Sequence, residues 1–158
     1  MPAPALPTMP GREVAGVVDL LGTDVDLLGT DVDPVWLGRR AVAHLGLVSG
    51  GYAEQATASV DKLFPLLDHV GFADAVAAVG TGRTALGVLA LEPPRAGDRV
   101  LVLSAAGGLG WLLVQGAAWH GARVVAAARG AERTAQLAAL EPELVVDYGS
   151  GDWVERVR

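Results

Sequence analysis

The chain has no cysteine. Disulfides and thiolate-held metals are therefore excluded, and the cytoplasm is the expected location. Its 3 histidines, His44, His69 and His120, stand far apart, so no ligand cluster forms along the sequence and a metal-free protein is expected. Positive charge is scarce as well. The 12 Lys and Arg against 18 Asp and Glu leave a net charge of −6, with no basic run. A nucleic-acid partner calls for the opposite balance. Aromatics make up 5% of the chain, whereas 51% of it is hydrophobic and 21 residues are glycine. Small and aliphatic residues of that kind suit helices packed closely on a sheet. The opening MPAPALPTMPGREV has neither the basic start nor the apolar centre of a signal peptide.

What the chain does have is concentrated in residues 99–130. An apolar run, Val100 to Leu103, leads into Ser104-Ala105-Ala106-Gly107-Gly108-Leu109-Gly110. An uncharged helical segment follows, Leu109 to His120, and then a second apolar strand, Arg123 to Ala128. Strand, glycine turn, helix and strand in this order form the first βαβ unit of a dinucleotide-binding fold. The physical demands are a sharp exit from a buried strand, close approach of the backbone to a pyrophosphate, and a helix that begins tight against the sheet. Each favours a residue with little or no side chain. On the G-x-G-x-x-G template Ala105 takes the first place, Gly107 the second and Gly110 the third. The N–H groups near Gly108 and Leu109 would face the phosphates, with the helix dipole behind them. A tight turn in a parallel sheet is the plainer reading. A membrane span is a third, because Val100 to Ala122 carries no charged residue. Ala106-Gly107-Gly108 interrupts that span, buried parallel strands also read as continuous apolar runs, and no membrane association is expected.

The remaining chain falls into order around this unit. Four prolines in residues 1–10 give an extended lead-in. A strand is expected over Glu13 to Leu21. LLGTDVD then occurs twice in tandem, at 20–26 and 27–33. Two copies are too few for a repeat fold, and Asp24, Asp26, Asp31 and Asp33 lack calcium-loop spacing, so the duplication reads as a lengthened, solvated turn. Short strands are expected over Trp36 to Leu45 and Gly51 to Val60, with a boundary at Phe64-Pro65-Leu66. Helices are expected at Phe72–Val79 and Gly82–Leu91, separated by Gly80-Thr81-Gly82. Beyond the βαβ unit come a helix at Ala131–Leu140, a strand at Leu144–Tyr148 and the start of a helix at Asp152.

Several motifs together resemble the medium-chain dehydrogenase/reductase superfamily, in its zinc-independent quinone-oxidoreductase branch. They are PGREVAGVV (10–18), GRRAVAH (38–44), GGYAEQA (50–56), GRTALGVLAL (82–91), PPRAGDRVLVLSAAGGLG (93–110), ARVVAAAR (122–129) and VVDY (145–148). The resemblance implies an α/β protein: the first half of a Rossmann-type parallel sheet preceded by part of a GroES-like β domain. Residues 1–65 would be the partial GroES-like domain and residues 66–158 the first half of the NADP-binding domain. On this resemblance the chain is truncated at both ends, and the second LLGTDVD copy is a departure. Where the zinc-containing branch carries a His-Glu pair, this chain has Arg12-Glu13.

The second strand ends in Arg129-Gly130 with no carboxylate at its tip to bind a ribose 2′-OH. Arg129 suits a 2′-phosphate instead, which points to NADP(H). By resemblance Arg133 and Tyr148 would join it, and Thr84 would stand near the nicotinamide. Each has a plainer reading as well: a solvated strand end for Arg129, a helix-surface charge for Arg133, a partly buried aromatic for Tyr148 and a packing or capping residue for Thr84. The expected cofactor-binding set is Thr84, Ala106, Gly107, Gly108, Leu109, Gly110, Arg129, Arg133 and Tyr148, with no nameable catalytic acid or base and no metal ligand. The implied activity is hydride transfer from NADPH to a small-molecule quinone or enone. The alternative is a nucleotide-binding fragment without catalysis. An incomplete sheet would also leave an apolar edge that favours a homodimer.

Overall fold

A computed structural model describes residues 8–22 and 32–158. The tandem repeat, with Asp24, Asp26 and Asp31, lies mostly outside the described residues. Its last residue, Asp33, accepts a hydrogen bond from the Val35 N–H at 2.8 Å and opens a 3₁₀ turn over Pro34–Trp36. Tertiary contacts divide the chain into two compact units, one ending at Gly80 and the other running from Thr81 to Arg158. The boundary expected from sequence stood after residue 65.

The first unit holds an antiparallel sheet of β1 (Glu13–Val17), β2 (Arg40–His44) and β3 (Leu63–Pro65), with β2 in the centre. Ala41, Val42 and Ala43 are buried, as a central strand requires. Two expectations are corrected here. Trp36 belongs to the 3₁₀ turn, where Pro34 starts a tight bend and not a strand. The third strand is Leu63–Pro65 and not Gly51 to Val60. The Gly50 and Gly51 N–H groups are spent on the Gly11 carbonyl, both at 3.1 Å, and Tyr52 N–H on the Pro10 carbonyl. That leaves Phe64 to pair with Val42.

Helix α1 (Phe72–Ala77) does not stop at the glycines that follow; the path widens into a π turn over Ala78–Gly82 before α2 (Arg83–Leu91). Gly80 faces Glu13, and a Cβ there would stand 3.1 Å from the Glu13 Oε1. The glycine thus serves close approach, not chain breaking. The stretch Phe72–Leu91 has the length and mean hydropathy (1.2) of a membrane span, by composition alone.

The second unit is α/β. Strands β4 (Arg99–Leu103), β5 (Arg123–Ala128) and β6 (Leu144–Asp147) form a parallel sheet with β5 in the middle. Between them run α3 (Gly108–Trp119) and α4 (Ala131–Leu137), and α5 (Trp153–Val157) follows. Strand β5 is buried from Val124 to Ala128, which accounts for its unbroken apolar run. Gly110, Val114 and Ala117 recur at helical spacing and are the buried face of α3. The other side of α3 meets α2 at Gly116, where a Cβ would collide with the Leu89 side chain. The α3 C-terminus closes with Gly121 at φ +81° and the Ala122 N–H donating to the Ala117 carbonyl at 3.1 Å, a Schellman arrangement. Val100 to Ala122 is thus strand, turn and helix, not one span. Leu101 and Leu103 on β4 are 40% and 56% exposed, an apolar flank on an edge strand.

In the first unit, Arg40 gathers a turn that has no regular structure of its own. Its guanidinium donates to the carbonyls of Leu67 (3.0 Å), Asp68 (2.6 Å) and Val70 (2.6 Å) and lies 4.6 Å from the Phe72 ring centre. Arg40→Met keeps the stem and removes the donors. Thermal denaturation is expected to show a loss of about 1–3 kcal/mol. Asp68→Asn, which leaves the carbonyl in place, is expected to melt like the unaltered chain.

Candidate functional site

The C-terminal ends of β4, β5 and β6 lie side by side, which is where open parallel sheets bind ligands. At the end of β4, Ser104 adopts φ +53°, a conformation that costs a non-glycine residue about 1–3 kcal/mol. The chain then doubles back. The Gly107 N–H donates to the Ser104 carbonyl at 2.9 Å, and the buried Ala105 N–H bonds the Ala127 carbonyl of β5 at 2.9 Å. Helix α3 starts immediately. A Cβ on Gly110 would overlap the Ser104 carbonyl oxygen and come within 2.7 Å of the Ala105 Cα, so no other residue lets the helix begin this close to the strand. Gly107 and Gly108 are less constrained: a Cβ would meet the Ser104 oxygen at 3.3 Å and the Thr81 Cγ2 at 3.8 Å, respectively.

The first turn of α3 exposes donors. The Trp111 N–H is the first to find a helical acceptor, the Gly107 carbonyl at 2.8 Å. Among the described residues no group accepts from the N–H of Gly108, Leu109 or Gly110. No carboxylate lies in this turn of α3, so the positive end of the helix dipole is not offset locally. This arrangement is suited to an anion.

The other expected residues are distributed around this turn. Arg129 is exposed and directly follows β5, and Tyr148 is half-buried and directly follows β6. The Tyr148 hydroxyl stands 3.5 Å from the Ser104 Oγ, joining the outer two strand tips across the end of β5. Arg133 is exposed on α4, one turn beyond Arg129, and Thr84 is exposed on α2. The structure therefore brings Ala106, Gly107, Gly108, Leu109 and Gly110 together on one turn and sets Arg129 and Tyr148 at the neighbouring tips.

Asp147 was missed from sequence. The Asp147 Oδ1 accepts from Gly130 N–H at 3.1 Å and Gly149 N–H at 2.7 Å. These two bonds, and then the nearby guanidinium groups of Arg129 and Arg156, hold its carboxyl below the ordinary value of 3.8. The signal available was a carboxylate at a strand end between two glycine turns, which read as an ordinary strand terminus. Among the described residues no group of three or more His, Cys, Asp or Glu side chains is arranged to hold a metal ion.

Two tests follow from this geometry. Gly110→Ala is expected to destabilise the fold by about 1–3 kcal/mol through overpacking, whereas Gly108→Ala, whose Cβ has room, is expected to melt near the unaltered chain. The lowered carboxyl of Asp147 contributes stability that is fully present above pH 3.8 and is lost as the pH falls through its lower folded value. Acid titration of the melting midpoint is expected to show a shallower acid limb for Asp147→Asn.

No family model matches the chain. The quinone oxidoreductase of Mus musculus is 31% identical over 156 residues, covering 98% of this chain and 45% of that protein. An NADPH-dependent alkenal/one oxidoreductase of Arabidopsis thaliana chloroplasts is 35% identical over 145 residues, covering 90% of this chain and 37% of that protein. The crystal structure of Escherichia coli quinone oxidoreductase complexed with NADPH superposes with a TM-score of 0.83 at 28% identity, over 98% of this chain and 45% of that one. The chain thus spans less than half the length of these relatives. Its antiparallel unit corresponds to part of their GroES-like domain and its parallel unit to the first half of their Rossmann sheet. With that fold, and similarity along nearly its whole length, the chain belongs to the quinone oxidoreductase-like branch of the medium-chain dehydrogenase/reductase superfamily.

Proposed function

We propose that the chain binds NADP(H) and belongs to a zinc-independent oxidoreductase that passes hydride from NADPH to a conjugated carbonyl or quinone. The observation that carries this reading is the row of N–H groups on Gly108, Leu109 and Gly110, unpaired among the described residues and set beside Arg129 and Tyr148 at the adjoining strand tips. The row takes the pyrophosphate, with Ala106 and Gly107 leading into it. Arg129 takes the 2′-phosphate, since guanidinium offers paired donors to phosphate oxygens. Tyr148 supplies a hydroxyl to the same end, and Arg133 and Thr84 complete the cofactor-binding set. In this reading residues 1–65 are the GroES-like part and residues 66–158 the NADP-binding part. The NADPH bound by the Escherichia coli relative and the NADPH dependence of the Arabidopsis one support the choice of cofactor. When bound, the nicotinamide supplies the hydride, and the protein's share is to bind and orient it. These 158 residues offer no Cys to zinc sites of the kind that related alcohol dehydrogenases build.

The alternative reading is a nucleotide-binding module that does not turn over substrate. Titration of NADPH and NADH into the purified chain, followed by assay with a quinone and an enone, separates the two. The oxidoreductase predicts tighter NADPH binding and cofactor-dependent reduction. NADPH binding with no reduction supports the module, and no binding of either dinucleotide contradicts both. Arg129→Asp is expected to lower NADPH affinity by about tenfold or more while sparing NADH, because it removes a charge-assisted pair and adds a like charge. An unchanged preference would show that Arg129 does not meet the phosphate.

A further inference from the structure

We propose that Asp147 is the positioning residue of the 2′-phosphate subsite: by clipping the turn after β5 to the turn after β6, it sets where Arg129 and Tyr148 stand. This rests on the NADP(H) reading above. Asp147 is the last residue of β6 and pairs in register with Ala128, the last of β5. One of its oxygens takes both the Gly130 and Gly149 N–H groups. Gly130 has φ +88°, a conformation open to glycine and rare for side chains, so the chain leaves Arg129 through a glycine turn that the bond to Asp147 fixes in direction. The Tyr148 N–H bonds the Ala128 carbonyl at 3.0 Å, which ties the second expected phosphate contact to the same strand end. A Cβ on Gly149 would stand 2.9 Å from the Asp147 Oδ1 and 3.6 Å from the Arg129 Cγ, so carboxylate, glycine turn and arginine stem are packed as one piece.

The carboxylate is also spent in a useful way. Oδ1 is directed at backbone N–H groups, and among the described residues Arg129 forms no ion pair within 4.0 Å. The Arg129 stem is placed beside the clip while its guanidinium makes no such ion pair, as a group awaiting a phosphate requires. The position of the acceptor oxygen, more than the charge of Asp147, is what the subsite uses.

Two conservative variants separate position from charge. Asp147→Asn keeps an acceptor oxygen at the same reach and removes the charge. Asp147→Glu keeps the charge and moves the oxygen one methylene further out. Affinities for adenosine 2′,5′-bisphosphate and for AMP are measured by calorimetry on the 158-residue chain, and their ratio reports the 2′-phosphate alone. In Asp147→Asn the ratio is expected to stay within about threefold of the unaltered chain. In Asp147→Glu it is expected to fall about tenfold with AMP affinity unchanged, the size of effect that a displaced anchoring group produces. A ratio kept by Glu and lost by Asn would assign an electrostatic role and overturn the proposal. So would a ratio unmoved by both variants, or equal losses for the two nucleotides, which would mark a general support of the fold. If the unaltered chain does not prefer the bisphosphate, the NADP(H) reading itself falls, and this assignment with it.

Discussion

The second unit depends on how closely α3 can start against the end of β4. At Gly110 the helix backbone lies against Ser104 and Ala105 with no room for one further carbon. That contact seats Val114 and Ala117 on the sheet and leaves the N–H groups of Gly108, Leu109 and Gly110 pointing away from any partner among the described residues. The exposure of these donors is thus a consequence of packing. A larger residue at 110 would push the helix off the strand, and the donor row would lose both its direction and its shelter.

The strand tips extend this constraint across the sheet. Ser104 holds a left-handed conformation at one edge, and Tyr148 reaches its hydroxyl from the other. Between them Asp147 binds two glycine N–H groups that no helix or strand ladder uses. The carboxylate fixes a turn that hydrophobic burial cannot fix, since Arg129 and Gly130 lie at or near the surface. The same economy is seen in the first unit, where one guanidinium, that of Arg40, holds three carbonyls of an irregular turn.

Much of the second unit was legible in the sequence because its signals are local and agree with one another. The helix expected from Leu109 to His120 runs from Gly108 to Trp119, and the strand expected at Arg123–Ala128 has those bounds. The first unit was read less well. Gly51 to Val60 has the composition of a strand, yet pairing is settled by distant groups: the Gly11 and Pro10 carbonyls claim its opening N–H groups, and β2 pairs with Leu63–Pro65. Gly80 looks like a helix breaker until Glu13 is seen beside it. For the site, glycine spacing announces the turn, because Gly110 answers a steric demand of Ser104 and Ala105, neighbours close in sequence. The work of Asp147 could not be read, since its two donors lie 17 residues before it and 2 residues after it and carry no side chain to mark the pairing. Nor does a serine advertise the left-handed turn that Ser104 makes.

On the proposed reading, the amides at the start of α3, unpaired among the described residues, receive the pyrophosphate of a dinucleotide. Two-dimensional ¹⁵N–¹H NMR of the labelled chain, titrated with NADPH, reads those amides one by one. The largest shifts are expected on Gly107, Gly108, Leu109 and Gly110, with smaller ones at Gly130 and Tyr148. NADPH binding that moves amides elsewhere and leaves Gly108 to Gly110 in place would contradict it.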